Sequence, residues 1–279
     1  MIKKFFRLVF EVVNGSLKDN IGAFSAQSAF FMTISFIPLI MLFLSLLKFI
    51  PIPVDLIIQG AVSVFPGGAK ELVSSFINET FEKSDAAVIS ITAVSTLWAA
   101  SIGVFSLIKG LNKVYHTDET RNYFVVRVMS MFYTLIFLII LVLCLLLFVF
   151  GNTITEAIEK LLPHGFGEAA LILSGRFLVG TIVLGVLFLL IYTIVPNRKT
   201  KFLTQIPGAI VSALGWLAFS WVFSFYYENM ADYSYLYGSL SVMVFFMLWL
   251  FICIYILFIG AEINKCIEDR TERNFLLKK

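Results

Sequence analysis

The stretch FLIILVLCLLLFVF at residues 137–150 decides the fold, because it holds no charged residue and almost no polar atom. It lies in an apolar run over residues 128–150, and about 20 apolar residues suffice for a helix to cross a bilayer. Of the 279 residues in the chain, 59% are hydrophobic and 14% are charged. A soluble domain carries about 25% charged residues, and a disordered chain would be polar. The sequence therefore predicts an all-α integral membrane protein.

Five further runs are long and apolar enough to cross the membrane. Together the six predicted transmembrane helices cover residues 24–47, 86–108, 128–150, 169–195, 202–226 and 236–262. Most of the 21 basic residues fall, in alternate loops, on the side that holds both termini. Because cytoplasmic loops are enriched in Lys and Arg, we expect both termini in the cytoplasm.

Two segments outside these runs are amphipathic. Apolar residues at three- and four-residue steps predict a cytoplasmic N-terminal interfacial helix within residues 1–22. The transmembrane domain then covers residues 23–264, and a basic cytoplasmic tail covers 265–279. An extracytoplasmic segment over 51–84, broken by PGG at 66–68, predicts two short helices on or in the outer leaflet. A surface cap is the favoured interpretation of this segment, and a moving gate is the alternative.

Residues with catalytic chemistry are few. Only two histidines occur, His116 and His164, and the topology places them on opposite sides of the membrane. The best polar cluster is YHTDETR at 115–121, whose spacing matches no metal-ligand motif and favours a solvated loop with local ion pairs. The three cysteines are far apart and form no C-x-x-C pair. We expect no enzyme activity, no metal and no cofactor.

Polar residues within the predicted spans are the candidates for a substrate pathway. Arg176 would either reach the headgroups or bind an anionic group, and Glu262 would either pair with a basic residue of a neighbouring loop or carry a proton or substrate. Small polar residues would either allow close helix packing or line a pathway between the first, second, fifth and sixth spans. No acidic residue lies near a midplane, which argues against a proton relay. The candidates are Gln27, Ser35, Pro38, Ser95, Ser101, Arg176, Ser212, Ser220, Ser224 and Glu262.

Six blocks of the chain resemble a known family. They are SAFFMTISFIPLIM (28–41), LWAASIGVFSLIKGLNKVY (97–115), YTIVPNRK (192–199), IPGAIVSALGW (206–216), YLYGSLS (235–241) and GAEIN (260–264). In this order they resemble the YihY/BrkB family of bacterial inner-membrane proteins, over nearly the whole chain. Phe30 and Phe31 stand where the family has a tyrosine-containing pair. The family label ribonuclease BN looks like a misassignment.

The resemblance implies a six-span protein of the bacterial inner membrane. A role in moving lipids or other envelope molecules has been suggested for this family, with no catalytic residues to carry over. The positions that match its motifs are Pro38, Trp98, Gly110, Asn112, Pro196, Asn197, Arg198, Pro207, Gly208, Trp216, Tyr237, Gly238, Gly260, Glu262 and Asn264.

The leading functional hypothesis is a transporter or exporter of a lipid, an amphiphile or a small envelope molecule, not ATP-driven by itself. The first alternative is a structural or regulatory membrane protein that recruits partners through its basic cytoplasmic face. The second is a membrane enzyme that acts on lipid-linked substrates at the 115–121 loop. The expected partner is the lipid bilayer and not nucleic acid, and the oligomeric state stays open.

Overall fold

The computed structural model describes residues 2–47, 54–55, 58, 74–75, 78, 94–149, 168–229 and 239–276. Within the helices, side chains are described for residues 6–43, 94–142, 181–226 and 243–271, besides the six isolated positions. Every regular element in these ranges is helical. The prediction of an all-α membrane protein is therefore confirmed.

Eight α-helices and one 3₁₀ helix make up the described residues. They are α1 (Ile2–Lys18), α2 (Ile21–Leu47), α3 (94–100), α4 (Ile102–Val114), α5 (Tyr123–Val149), α6 (Glu168–Ile194), the 3₁₀ helix Phe202–Gln205, α7 (Ile206–Asn229) and α8 (Ser239–Leu276). Of the predicted segment 51–84, the positions at 54–55, 58, 74–75 and 78 are helical, and the others lie outside the described residues.

Among the described residues, five helical stretches are long and apolar enough to cross a membrane. They are Ile21–Phe43, Val94–Val114, Tyr123–Val142, Phe202–Tyr226 and Met243–Thr271, at the positions of the first, second, third, fifth and sixth predicted spans. The predicted fourth span coincides with α6, a helix of 27 residues, of which Thr181–Ile194 counts as a shorter apolar helix. The count of six spans and the cytoplasmic termini stay predictions.

Several helix boundaries differ from those expected. The second span continues to Val114 and not to residue 108. The third span begins at Tyr123 and not at residue 128, because the apolar residues YFVV before Arg127 are already helical. Arg127 therefore lies inside α5 and not in a connecting loop. At the other end of the chain, α8 continues to Leu276, through most of the segment expected to be a basic tail.

The chain forms two compact units. The first unit comprises residues 1–34, 103–126 and 173–279, and the second comprises 35–102 and 127–172. In the second unit, Leu42, Ala100 and Leu138 form a buried core. In the first unit, α7 and α1 both pack against α8.

Large apolar side chains of α1 face away from the first unit. Phe6, Phe10 and Leu17 are all exposed, at three- and four-residue steps on one face. The opposite face, with Val12 and Ser16, is buried. An exposed apolar stripe on a helix of a membrane protein is typical of a helix lying in the lipid interface.

Candidate functional site

The helical hydrogen-bond pattern of the second span changes for one residue at Ser101, between α3 and α4, although the Ser101 N–H still bonds the Leu97 carbonyl oxygen at 3.0 Å. Side chains bind the backbone oxygens just before Ser101. The Ser35 hydroxyl donates to the carbonyl oxygen of Ala99 at 3.2 Å, and the Ser101 hydroxyl donates to that of Trp98 at 2.9 Å. Two of the candidate residues, Ser35 and Ser101, thus meet at one place.

A buried arginine completes this arrangement. Arg127 of α5 is only 3% exposed, and its Nη2 donates to the carbonyl oxygen of Trp98 at 2.6 Å. Its Cζ atom lies 4.5 Å from the centre of the Trp98 ring, which is a cation–π contact. The indole itself is 40% exposed. We call Ser35, Trp98, Ala99, Ser101 and Arg127 the Arg127 site.

Sequence reasoning missed Arg127, which it assigned to the loop before the third span. The signal was the apolar run on both sides of this residue, YFVV before it and VMSMF after it. A charge enclosed by apolar residues on one helix costs free energy in a membrane and marks a functional position by default.

The other candidates whose side chains are described have surroundings of their own. Pro38 lies inside α2, and Ser95 lies on an exposed position of α3. Gln27 is exposed, while the neighbouring Ser28 is buried and lies 3.0 Å from the hydroxyl of Ser106. The side chain of Arg176 lies outside the described residues, as do Tyr237 and Gly238.

The three serine candidates of α7 have different surroundings. Ser212 is fully buried, and its hydroxyl lies 2.7 Å from that of Tyr192 and donates to the carbonyl oxygen of Ile256. Ser220 accepts a hydrogen bond from the Trp249 indole at 3.2 Å, and Ser224 is exposed. Because the Ser212 side chain is buried and hydrogen-bonded, close helix packing is favoured over a polar pathway at this position.

Two glycines make the contact between α7 and α8 possible. A Cβ atom on Gly208 would collide with the backbone oxygen of Gly260, and one on Gly260 would collide with the Ser212 hydroxyl. The Asn264 side chain bridges the same contact, because its Oδ1 accepts from the Gly208 N–H at 2.7 Å and its Nδ2 donates to the Gln205 carbonyl at 3.1 Å. Three positions of the family motifs thus meet here.

The first unit also carries an ionic cluster, which we call the Asp19 cluster: Asp19, His116, Glu262 and Lys265. Asp19 Oδ1 lies 2.7 Å from His116 Nε2, and Lys265 Nζ donates to Asp19 Oδ2 at 2.7 Å. Lys265 Nζ also lies 3.2 Å from Glu262 Oε2. The partner of Glu262 is therefore on its own helix, one turn away, and not in a neighbouring loop.

The same contacts shift the pKa of Asp19. Burial raises this pKa, but hydrogen bonds from Lys265 and His116, with their charges, outweigh burial and hold it below the ordinary 3.8.

Beside this cluster, Asn112 ties two loops together. Its Nδ2 donates to Glu119 Oε2 at 2.7 Å, and its Oδ1 accepts from the Asn197 N–H at 2.8 Å. Glu119 also accepts from the Arg121 guanidinium at 2.7 Å. The hydrogen bond from Arg121 lowers the pKa of Glu119 most, and although burial opposes it, the pKa stays below the ordinary 4.5.

A third network surrounds Tyr115 at the end of α4. The Arg198 guanidinium lies 3.5 Å from the centre of the Tyr115 ring and donates to Glu268 at 2.7 Å. The Tyr115 hydroxyl donates to Gln205 Oε1 at 3.0 Å, and Gln205 Nε2 donates to Glu268 at 2.6 Å. Burial raises the pKa of Tyr115 well above its usual value, so the phenol stays a hydrogen-bond donor.

These networks divide the polar loop at 115–121. His116 binds Asp19, Glu119 binds Asn112 and Arg121, and the backbone oxygen of Asp118 accepts from Asn197. The loop side chains thus point to different partners and do not converge on one atom. Among the described residues, no three His, Cys, Asp or Glu side chains are grouped so that they could hold a metal ion.

Comparisons with known proteins agree with the sequence blocks. The family model Virulence factor BrkB matches residues 12–278. The putative ribonuclease-like protein YfkH of Bacillus subtilis (strain 168) is 31% identical over 250 residues, covering 88% of this chain and 90% of the relative. A UPF0761 membrane protein of Chlorobium luteolum is 26% identical over 272 residues, and this chain spans only 58% of its length. The UPF0761 membrane protein PM1616 of Pasteurella multocida is 26% identical over 211 residues, covering 74% of this chain and 63% of the relative.

No solved structure matches the chain. The family model covers nearly all of the chain, and the Bacillus relative matches over most of both lengths. The chain is therefore a membrane protein that belongs to the Virulence factor BrkB family.

Proposed function

We propose that this protein is a membrane transporter for a lipid or amphiphile with an anionic headgroup, and that Arg127 is its headgroup contact. The observation that carries the proposal is the Arg127 guanidinium, buried within the candidate span Tyr123–Val142 and bonded to the carbonyl oxygen of Trp98. Charged groups inside transmembrane segments are typical of substrate pathways in transporters.

The chemistry of the guanidinium determines the class of substrate. Arginine stays charged even when buried, and its planar fork donates two parallel hydrogen bonds to a phosphate or carboxylate. One of the donors of Arg127 binds the neutral carbonyl oxygen of Trp98. An anionic headgroup is a stronger acceptor than a carbonyl oxygen, so it would compete with that oxygen for the guanidinium.

Trp98 gives this site a side that faces lipid. Its ring covers the guanidinium of Arg127 and is itself 40% exposed. In the proposed mechanism, the indole swings aside to admit the headgroup, while the acyl chains stay in the bilayer. The site therefore suits an amphiphile better than a fully polar solute.

The remaining expectations belong to the same proposal. The protein would reside in the bacterial inner membrane with both termini in the cytoplasm. Transport would need no ATP hydrolysis by this chain. We also propose that the chain is not an enzyme, because the polar side chains of the 115–121 loop bind different partners.

Reconstitution tests the proposal. Purified protein in liposomes that contain fluorescent phosphatidylglycerol is expected to move the label between leaflets, as measured by dithionite quenching. Arg127→Gln should lower the rate about tenfold or more, the scale of a lost charge-assisted hydrogen bond. Arg127→Lys should retain part of the rate. The matched control is Lys109→Gln, which removes an exposed cation from another candidate span and should leave the rate unchanged.

Thermal unfolding in detergent identifies variants that fail to fold. If folded Arg127→Gln protein moves phosphatidylglycerol as fast as the wild-type protein, Arg127 is not the headgroup contact. If the unchanged protein moves neither phosphatidylglycerol nor a zwitterionic lipid, the transport proposal itself fails.

A structural or regulatory membrane protein is the second candidate function. The close contact between Gly208 and Gly260, bridged by Asn264, favours it, because such packing resists rearrangement. This candidate predicts that another envelope protein is cross-linked to the basic loop 198–201 in cells. Transport by the purified chain together with no such cross-link would count against it.

A further inference from the structure

The Asp19 cluster joins three separate parts of the first unit. Asp19 lies in the corner between α1 and α2, His116 follows α4, and Glu262 and Lys265 lie on α8. The partners are up to 246 residues apart in sequence. A change in the charge of one group would therefore change how these elements hold together.

The cluster contains two carboxyl groups and one ammonium group. The side chains of Asp19 and Glu262 are 4% and 2% exposed, and both bind the ammonium group of Lys265. One ammonium neutralises one carboxylate, so zero net charge requires one further proton, on Glu262 or on His116. Leaving a carboxylate buried without a balancing charge is strongly unfavourable.

A proton is the ligand that the geometry best accommodates. The imidazole of His116 binds Asp19 on one side and is 51% exposed, so it can exchange protons with water. Imidazole is the side chain that gains or loses a proton near neutral pH. A protonated His116 would bring the four groups to zero net charge.

The neighbouring charged groups do not remove this imbalance. On α1, Glu11 binds the guanidinium of Arg270 at 2.8 Å. On α8, the Cys266 thiol lies 3.8 Å from Glu262, and Asp269 adds a further negative charge near that thiol. The surroundings of the cluster thus contribute the neutral Glu11–Arg270 ion pair and the additional carboxylate of Asp269.

We propose that Asp19, His116, Glu262 and Lys265 form a proton-binding site that fastens α1 and its corner to α8. With the proton bound, His116 and Lys265 both hydrogen-bond to Asp19, and Lys265 Nζ also lies 3.2 Å from His116 Nε2. With the proton lost, the surplus negative charge weakens the attachment of α1, whose Gly15 lies directly against the Glu262 carboxylate. The site does not depend on Arg127 or on a transported lipid.

Histidine NMR tests proton binding directly, because the chain has only two histidines. In His164→Gln protein labelled with ¹³C-histidine, the one remaining signal reports on His116. Asp19→Asn should lower the proton affinity of His116 about tenfold, since a carboxylate in contact with the imidazole stabilises its protonated form. Lys265→Met should change the affinity in the opposite direction. An affinity that neither substitution moves would overturn the proposed site.

Hydrogen exchange tests the mechanical consequence. After correction for the intrinsic pH dependence of exchange, amide protection in α1 should fall as the His116 signal loses its proton. His116→Gln should show the low protection at every pH, and the control His164→Gln should behave like the unchanged protein. Protection of α1 that is independent of pH across the His116 titration would overturn the fastening role, even if the proton site is real. Neither measurement involves transport, so failure here and failure of the transport proposal are distinguishable.

Discussion

Asn264 of α8 accepts the backbone N–H of Gly208 of α7 at 2.7 Å, and this bond is fully buried. The same amide donates to the Gln205 carbonyl at 3.1 Å. One side chain therefore satisfies the backbone at the beginning of α7, where helix N–H groups have no partner of their own.

Asn264→Ala removes both bonds and leaves the Gly208 N–H buried without a partner. We expect a loss of about 1–3 kcal/mol in the free energy of unfolding, read as a lower thermal midpoint in detergent. Gln27→Ala, which removes an exposed amide from α2, is the control and should change little. An unchanged midpoint in Asn264→Ala protein would contradict the bridging role.

Gly260→Ala should disturb the same contact through size and not through hydrogen bonding. The added methyl group would meet the Ser212 and Tyr192 hydroxyls, so α7 and α8 must separate or these side chains must turn. Overpacking of this kind costs about 1–3 kcal/mol. Gly185→Ala is the matched control, because its added Cβ would meet nothing within 4 Å. Equal thermal midpoints for the two variants would exclude a packing role for Gly260.

Tyr192→Phe tests whether the buried hydroxyls support one another. The substitution removes the donor to the Leu257 carbonyl, which Tyr192 binds at 2.7 Å, and a neighbour of Ser212. We expect the midpoint to fall. Because the two hydroxyls are in contact, Ser212→Ala in the Tyr192→Phe background should cost less than Ser212→Ala alone. Additive losses in this double-mutant cycle would show that the hydroxyls act independently.

The lowered pKa of Asp19 has a defined effect in acid. A carboxyl whose folded pKa is depressed contributes stability above its unfolded value, and that contribution disappears as the pH falls through the folded pKa. We therefore expect the contribution of Asp19 to be complete at neutral pH and to be lost only below about pH 3.8, its ordinary value. Unfolding measured against pH in unchanged and Asp19→Asn protein checks this, and the two curves should converge in strong acid. A difference between them that persists there would contradict the assignment.

The sequence predicted the helices well where apolar runs are long. Residues 128–150 have no competing interpretation, and α5 lies there. The charge of Arg127 shifted the predicted start of this helix, because a lone arginine at the edge of an apolar run is ordinarily a loop residue. Only its contact with the Trp98 carbonyl, on a helix distant in sequence, shows that it is buried.

The candidate site was harder to predict, for a physical reason. Serines at helical spacing, such as Ser212 and Ser220, have the same pattern whether they pack or line a pathway. Partners decide between the two, and those of Ser212 lie on α6 and α8. Likewise, the 115–121 loop looked like a single cluster, although His116 binds Asp19, and Glu119 binds Asn112 and Arg121. A local sequence pattern carries no information about contacts between residues that are far apart in the sequence.

The length of α8 has a mechanical consequence. Its 38 residues extend about 57 Å at 1.5 Å per residue, nearly twice the roughly 30 Å thickness of a hydrocarbon core. One continuous helix therefore joins Trp249, which contacts α7, to Lys265 and Arg270, which contact the α1 region. A helix is stiff along its axis, so a push or twist at one end arrives at the other without a joint to absorb it. α8 thus couples the contact with α7 at Trp249 mechanically to the contacts with the α1 region.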